Sequence, residues 1–493
     1  MIHTAFPSDL KAAKYRIREI VEGAGLDTYE VIFEVLDYKT INSIAAYQGF
    51  PTRYPHWRWG MEFNRLTKGY AYGLQTIYEL VINNDPCYAY LLQSNEMITQ
   101  KMVMAHVYGH CDFFKNNMWF SHTNRKMMDE MANHASRVRS LMARFGQDKV
   151  EEFIDVCLSL ENLVDVHAGG IRRTPRTEKN GAGTDQSDGV PRLRAKSYME
   201  DYINPPEFIV AQRASMEGKE RRSKQFPSEP VRDVMAFLVE HAPAEPWQRE
   251  ILEIVREEAL YFAPQGQTKI MNEGWASYWH STLMTTEILD DAEIVDYAQK
   301  HAGVTANSGR QVNPYKIGIE LFRDIEDRWD RGRFGVDYEM CDSFEERRDW
   351  DRHLGLGREK IFEVRRLYND VTFIDEFLTE DFCRRNNFFS FSYNSSAERY
   401  EIESREFKRI KERLLFSLTN MGNPLIDVID ANHRNRGELL LQHRFEGTVL
   451  DLDKAIATLK NLYRVWSRPV HIASRSEKKD FVLSFDGEEI TEE

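Results

Sequence analysis

Two histidines four residues apart, His106 and His110 in the string MVMAHVYGHCDFFKNN, are the residues of this chain best suited to chemistry. On a helix such a pair shares one face, so both imidazoles can reach one cation, and imidazole nitrogen is a favoured zinc ligand. A chain of 493 residues with 14 histidines supplies roughly 0.4 such pairs by chance, so the spacing gains meaning only from what converges on it. Glu130 and His134 repeat the four-residue step farther along. In QTKIMNEGWASYWH, Glu273 and His280 lie two helical turns apart on one face, and Gly274 lets another backbone approach closely. Glu130 with His134, and Glu273 with His280, are thus the metal-competent pairs that could converge on His106 and His110 to hold a zinc ion, with Glu130 as acid/base. His134 and His280 either replace a ligand or donate hydrogen bonds to the tetrahedral intermediate. Asp112 is a further base candidate, but its position predicts an exposed helix end.

The elements that must position these groups are mostly helical. Apolar periodicity predicts helices over 8–36, 95–115, 121–145, 230–287, 314–330 and 342–368, with Gly146 placed as a C-cap glycine. The stretch GFPTRYPHWRWGMEFNRLTKGYAYG is too interrupted by Pro and Gly for one helix and reads as an aromatic loop packed on the core. Residues 168–197 contain no aromatic residue, several glycines and mixed charge, and read as a flexible insertion loop. From about residue 395 the pattern changes. YEIES, GELLLQHRF and RPVHIAS read as strands around the helix LDKAIATLKNLYRVW, with a last hairpin turning at Asp486-Gly487. The expected fold is a mainly α core, residues 1–394, carrying a gluzincin-like helical metal site, followed by a smaller α+β domain, residues 395–493.

Composition narrows the partners. A hydrophobic fraction of 42% supplies a core, and a net charge of -14 disfavours nonspecific attraction to nucleic-acid phosphates or anionic lipid. The first residues lack the pattern of a secretory signal, and no apolar run is long enough to span a membrane, so the expected compartment is the cytoplasm. Five dispersed cysteines form no CxxC pair and read as reduced, mostly buried thiols. GxSxG, Walker and strand-flanked GxGxxG motifs are absent, so serine-hydrolase, P-loop and Rossmann chemistries lack support.

HxxxH followed by a glutamate in NEGWA resembles, in outline, the gluzincin metallopeptidases, in which two histidines and a glutamate from a later helix bind zinc, and that resemblance implies His106, His110 and Glu273 as the ligands. The departure is Val107, which stands where HExxH carries its general base and cannot take a proton. Over roughly residues 8–475, the strings YPHWRWGMEFNRL, AHVYGHCDFFKNN, KIMNEGWASYWH, NPYKIGIELFRDIEDRW, NDVTFIDEFLTEDF and HRFEGTVLDLDKAIATLKNLYRVWSRPV closely resemble the stage V sporulation protein R (SpoVR) family. That resemblance implies a cytoplasmic bacterial protein linked to assembly of the spore cortex, a peptidoglycan layer, or to stress physiology. It also implies a serine protein kinase and a von Willebrand-type domain protein as partners. Two readings of different class follow: a metal-dependent hydrolase of amide bonds, or a non-catalytic regulatory scaffold working with the kinase system. A two-metal carboxylate site ranks third, because the spacing here is Glu-x-x-x-His rather than Glu-x-x-His.

Overall fold

The computed structural model describes residues 6–71, 79–170, 205–211, 213, 225–305, 313–386, 390–394, 399–404, 406–476 and 479–493. Most of the expected insertion loop, residues 171–197, lies outside the described residues. Contacts divide the chain into two compact units, Met1–Glu151 with Leu260–Asn423, and Glu152–Ala259 with Pro424–Glu493.

The first unit is built around two helices with almost no exposed face. After α1 (Ser8–Gly23) comes a small sheet of β1 (Val31–Leu36), β2 (Leu80–Ile82) and β3 (Cys87–Leu92), ordered β1-β3-β2, with β1 parallel and β2 antiparallel to β3. Next follow α2 (Met97–Asn116) and α3 (Met127–Phe145), the latter ended by Gly146 at φ 95°. The same unit holds α4 (Lys269–Leu283), α5 (Pro314–Asp330), α6 (Gly357–Leu367) and α7 (Asp370–Phe377). α2 is buried continuously from Met102 to Phe114 and α4 from Trp275 to Ser281, as expected of helices that are apolar all round. Glycine lets them pack closely. A Cβ on Gly109 would lie 2.7 Å from the Ala276 Cα, and one on Gly274 would lie 2.5 Å from the Gly318 Cα, so α4 meets α2 on one side and α5 on the other nearly backbone to backbone.

The core is mainly helical, as expected, and the three-stranded sheet is an element within it that periodicity did not predict. The helix expected over 8–36 stops at Gly23, and VIFEVL, whose burial alternates with a period of two, runs as β1. The aromatic stretch also differs from expectation: past its last proline, Trp57–Ala71 is one helix, and Gly60 does not interrupt it. Pro55 disfavours helical geometry at Tyr54, so the chain turns helical only beyond it, whereas one glycine costs a helix only about 1 kcal/mol.

Division of the chain also departs from a cut at 394/395. The hairpin of β4 (Ser390–Asn394) and β5 (Arg399–Ser404) and the helix α8 (Phe407–Leu418) remain in the first unit, because α8 packs on α7. The second unit contains the five-stranded sheet β10-β9-β8-β7-β6, built from β6 (Ile426–His433), β7 (Glu438–His443), β8 (Val470–Arg475), β9 (Asp480–Phe485) and β10 (Ile490–Glu492). β7 and β8 are parallel, as they must be when α9 (Leu452–Trp466) joins them by a crossover. An isolated bridge from Val231 to Val428 ties the earlier segment of this unit to β6. β9 and β10 form the hairpin expected around Asp486-Gly487.

Candidate metal centre

His106 and His110 face the same side of α2, both buried, with ring centroids 4.6 Å apart. Glu273, on α4, reaches both: its Oε2 is 3.6 Å from His106 Nε2 and 3.5 Å from His110 Nε2. A fourth group joins them from just before β2. Glu79 Oε1 lies 3.2 Å from His106 Nε2 and 3.9 Å from His110 Nε2. One donor atom from each of the four residues lies within 4.8 Å of the other three.

The donor set fits a divalent transition ion. Ligands at about 2.0–2.2 Å from zinc stand about 3.3–3.6 Å from one another in a tetrahedron, and the four contacts above span 3.2–3.9 Å. His106 Nε2 and Glu273 Oε2 are buried without a hydrogen bond, although such groups are normally satisfied. Two histidines and two carboxylates present nitrogen and oxygen donors suited to zinc, iron or manganese.

The far side of each imidazole is also held. His110 Nδ1 donates to Asn272 Oδ1 over 2.8 Å, which leaves the Nε2 lone pair directed into the cluster. His106 Nδ1 is 2.7 Å from His280 Nδ1, so one of these nitrogens donates to the other. The Tyr315 ring, on α5, lies 6.2 Å from the His106 ring, and burial, together with the nearby Glu273 and Glu79 carboxylates, pushes the pKa of its hydroxyl up. Burial opposes the His106 cation, but the carboxylates of Glu79 and Glu273 outweigh it and hold its pKa at about 10. Burial likewise opposes the Glu79 carboxylate, and His106 and His110 outweigh it, so its pKa falls well below the usual range.

Of the residues singled out in the sequence, His106, His110 and Glu273 come together, and His280 stands behind His106. Glu130 and His134 lie close to each other on α3 but are not among the groups that converge on the histidine pair. Asp112 departs from its expected exposure. It is fully buried, accepts from Trp275 Nε1 at 2.7 Å and the Asp27 N–H at 2.8 Å, and faces Arg365. Burial raises its carboxyl pKa to about 6 despite Arg365. Such bonds make Asp112 a tie between α2 and α4. Glu79 and Tyr315 were not visible as site residues. Neither belongs to a repeated spacing, whereas Asn272 is signalled only by its place before Glu273 in the NEGWA string.

Residues 5–423 match the family described as SpoVR like protein, and residues 424–477 match the SpoVR-like C-terminal domain. The chain belongs to the SpoVR family. A SpoVR relative, "Uncharacterized protein YcgB" of Escherichia coli (strain K12), is 30% identical over 480 residues, covering 92% of this chain and 89% of the relative. No solved structure matches. The change between the two SpoVR families at 423/424 coincides with the break between the compact units. Among the described residues no helix is long and apolar enough to cross a membrane.

Proposed function

We propose that this SpoVR-family chain is a metal-dependent hydrolase of amide bonds, with His106, His110 and Glu273 as ligands and Glu79 as the acid/base. The observation that carries the reading is the position of Glu79: a carboxylate from outside α2 stands 3.2 Å from His106, compensating for Val107 where HExxH would place its glutamate. When bound, a zinc or similar ion would polarise a carbonyl and acidify a water. Glu79 would take the proton of the attacking water and return it to the leaving amine. Asn272 holds His110 and His280 holds His106, so both present Nε2 to the cluster. Tyr315, beside Glu273, is placed to donate to a developing oxyanion. Resemblance to the family suggests a peptidoglycan-related amide as substrate, in cortex formation or stress physiology, and a serine protein kinase and a von Willebrand-type domain protein as partners.

The deciding test compares Glu79→Gln, His106→Ala and Glu273→Ala for bound metal and for hydrolysis of peptidoglycan-fragment amides. Metal retained in Glu79→Gln with hydrolysis reduced about 100-fold or more supports the acid/base role, while His106→Ala and Glu273→Ala should lose both. A second reading rests on the distances themselves. Four groups at 3.2–3.9 Å also suit a closed four-ligand structural site in a regulatory scaffold, and loss of metal in Glu79→Gln without any detectable hydrolysis by the wild type favours it.

A further inference from the structure

The outer end of the five-stranded sheet carries another convergence of metal-competent groups, independent of the centre described above. The β6–β7 turn passes through Arg434 and Asn435, both at φ 57°, and this tight reversal sets His433 directly opposite Glu438 in the ladder. β8 lies beside β7 in parallel register, Leu440 opposite His471. Side chains two apart on a strand share a face, so Glu438 and His471 project to the same side, with His433 completing the group. The His471 Nε2 stands 3.1 Å from Glu438 Oε2, and the rings of His433 and His471 are 5.1 Å apart. One donor atom from each of the three lies within 4.8 Å of the other two.

We infer that His433, Glu438 and His471 form a second site for a divalent transition ion of zinc type, in the C-terminal sheet. Two imidazoles and one carboxylate are the donor set that three-ligand zinc sites use, and they leave a further position for water or an incoming ligand. The surrounding bonds hold these donors in place. Ser484 Oγ is 2.7 Å from His471 Nδ1, on the strand at the other side of β8, and when Nδ1 donates to it the Nε2 lone pair faces the cluster. Arg436 Nε engages Glu438 Oε1 at 2.7 Å, which leaves Oε2 as the ligating oxygen. Glu438 and His471 are buried and His433 is partly exposed, so the ion would enter past His433 and pin the β6–β7 hairpin to β8.

The test is a cobalt(II) titration of the full-length chain, followed by d–d absorption and by metal bound per chain after gel filtration. In the His106→Ala background, where the first centre is disabled, the inference expects about one cobalt per chain, reduced at least tenfold in affinity by His433→Ala and abolished by His471→Ala. His433 is partly exposed, so its variant should keep the fold, which circular dichroism verifies. Unchanged cobalt affinity in a folded His433→Ala variant, or no cobalt bound in the His106→Ala background, would overturn it. The second result leaves Glu438 and His471 as a hydrogen-bonded pair. Neither result bears on hydrolysis or on the first centre, which is read by the wild type against His106→Ala.

Discussion

At the scale of single residues, the centre is held as much from behind as from in front. Asn272 and His280 each engage the Nδ1 of a ligand candidate, on the side of the ring away from the cluster. Removing such a partner frees the ring to rotate and lets the wrong nitrogen carry the proton, at a typical cost of 10–100-fold in metal affinity. Asn272→Ala and His280→Ala are therefore expected to weaken zinc binding by about that factor without abolishing it, in a competition titration against a chelating dye. Full wild-type affinity in both would show that the imidazoles are not working through Nε2. The histidine pair and Glu273 were readable in the sequence because helical periodicity turns spacing into geometry. Glu79 was not, because it lies just before a three-residue strand and reaches the cluster through tertiary packing that no local spacing encodes.

Elements meet at this centre because small residues allow it. Gly274 and Gly318 bring α4 and α5 together, and an added methyl at Gly274 meets backbone atoms of α5 that cannot rotate away. Gly274→Ala is expected to cost about 1–3 kcal/mol and to displace Glu273, its neighbour in the chain, so thermal stability and zinc affinity should fall together. A folded variant with unaltered affinity would show that Glu273 is placed by other contacts. The start of α4 is held by Asp370, whose carboxylate accepts from the Ile270 and Met271 N–H groups at 2.8 and 2.9 Å. Burial outweighs these bonds and raises its pKa to about 7. The folded state thus binds this proton more tightly than the unfolded chain, whose aspartate titrates near about 3.9. The stability contributed by the protonated form is complete below that value and is lost as pH rises through about 7. Denaturant midpoints measured from pH 5 to 8 should decline in the wild type and lose that part of the slope in Asp370→Asn; equal slopes would refute the assignment. The helix Pro314–Asp330 was legible to the residue from periodicity, and in the structure the Asn313 side chain caps it. The three-stranded sheet was not, since short apolar runs such as CYAYLL carry no period that separates a strand from a buried helix.

For the whole molecule, the consequence is a dependence of stability on bound metal that belongs to one unit and can be separated genetically. α2 and α4 contribute His106, His110 and Glu273 from positions far apart in the chain, and Glu79 enters from a third segment, so an ion at that point would cross-link three stretches of the first unit. An ion that binds only the folded state stabilises it by RT ln(1 + [L]/Kd), about 2.7 kcal/mol at a free concentration 100 times Kd. Stripping metal with a chelator should therefore lower Tm in the wild type, and restoring zinc should return it. In His106→Ala the chelator should have a clearly smaller effect, because whatever sensitivity remains must come from elsewhere in the chain. The comparison also bears on the expected cut at 394/395. A metal-dependent transition that also reports on α8, for instance through a fluorophore attached at the exposed Phe416 position, would place 407–418 in the unfolding unit of the metal centre, as its packing on α7 requires. If α8 melted instead with the C-terminal sheet, the cooperative boundary would lie nearer 395 than 424, and the helix–helix contact with α7 would be too weak to couple them.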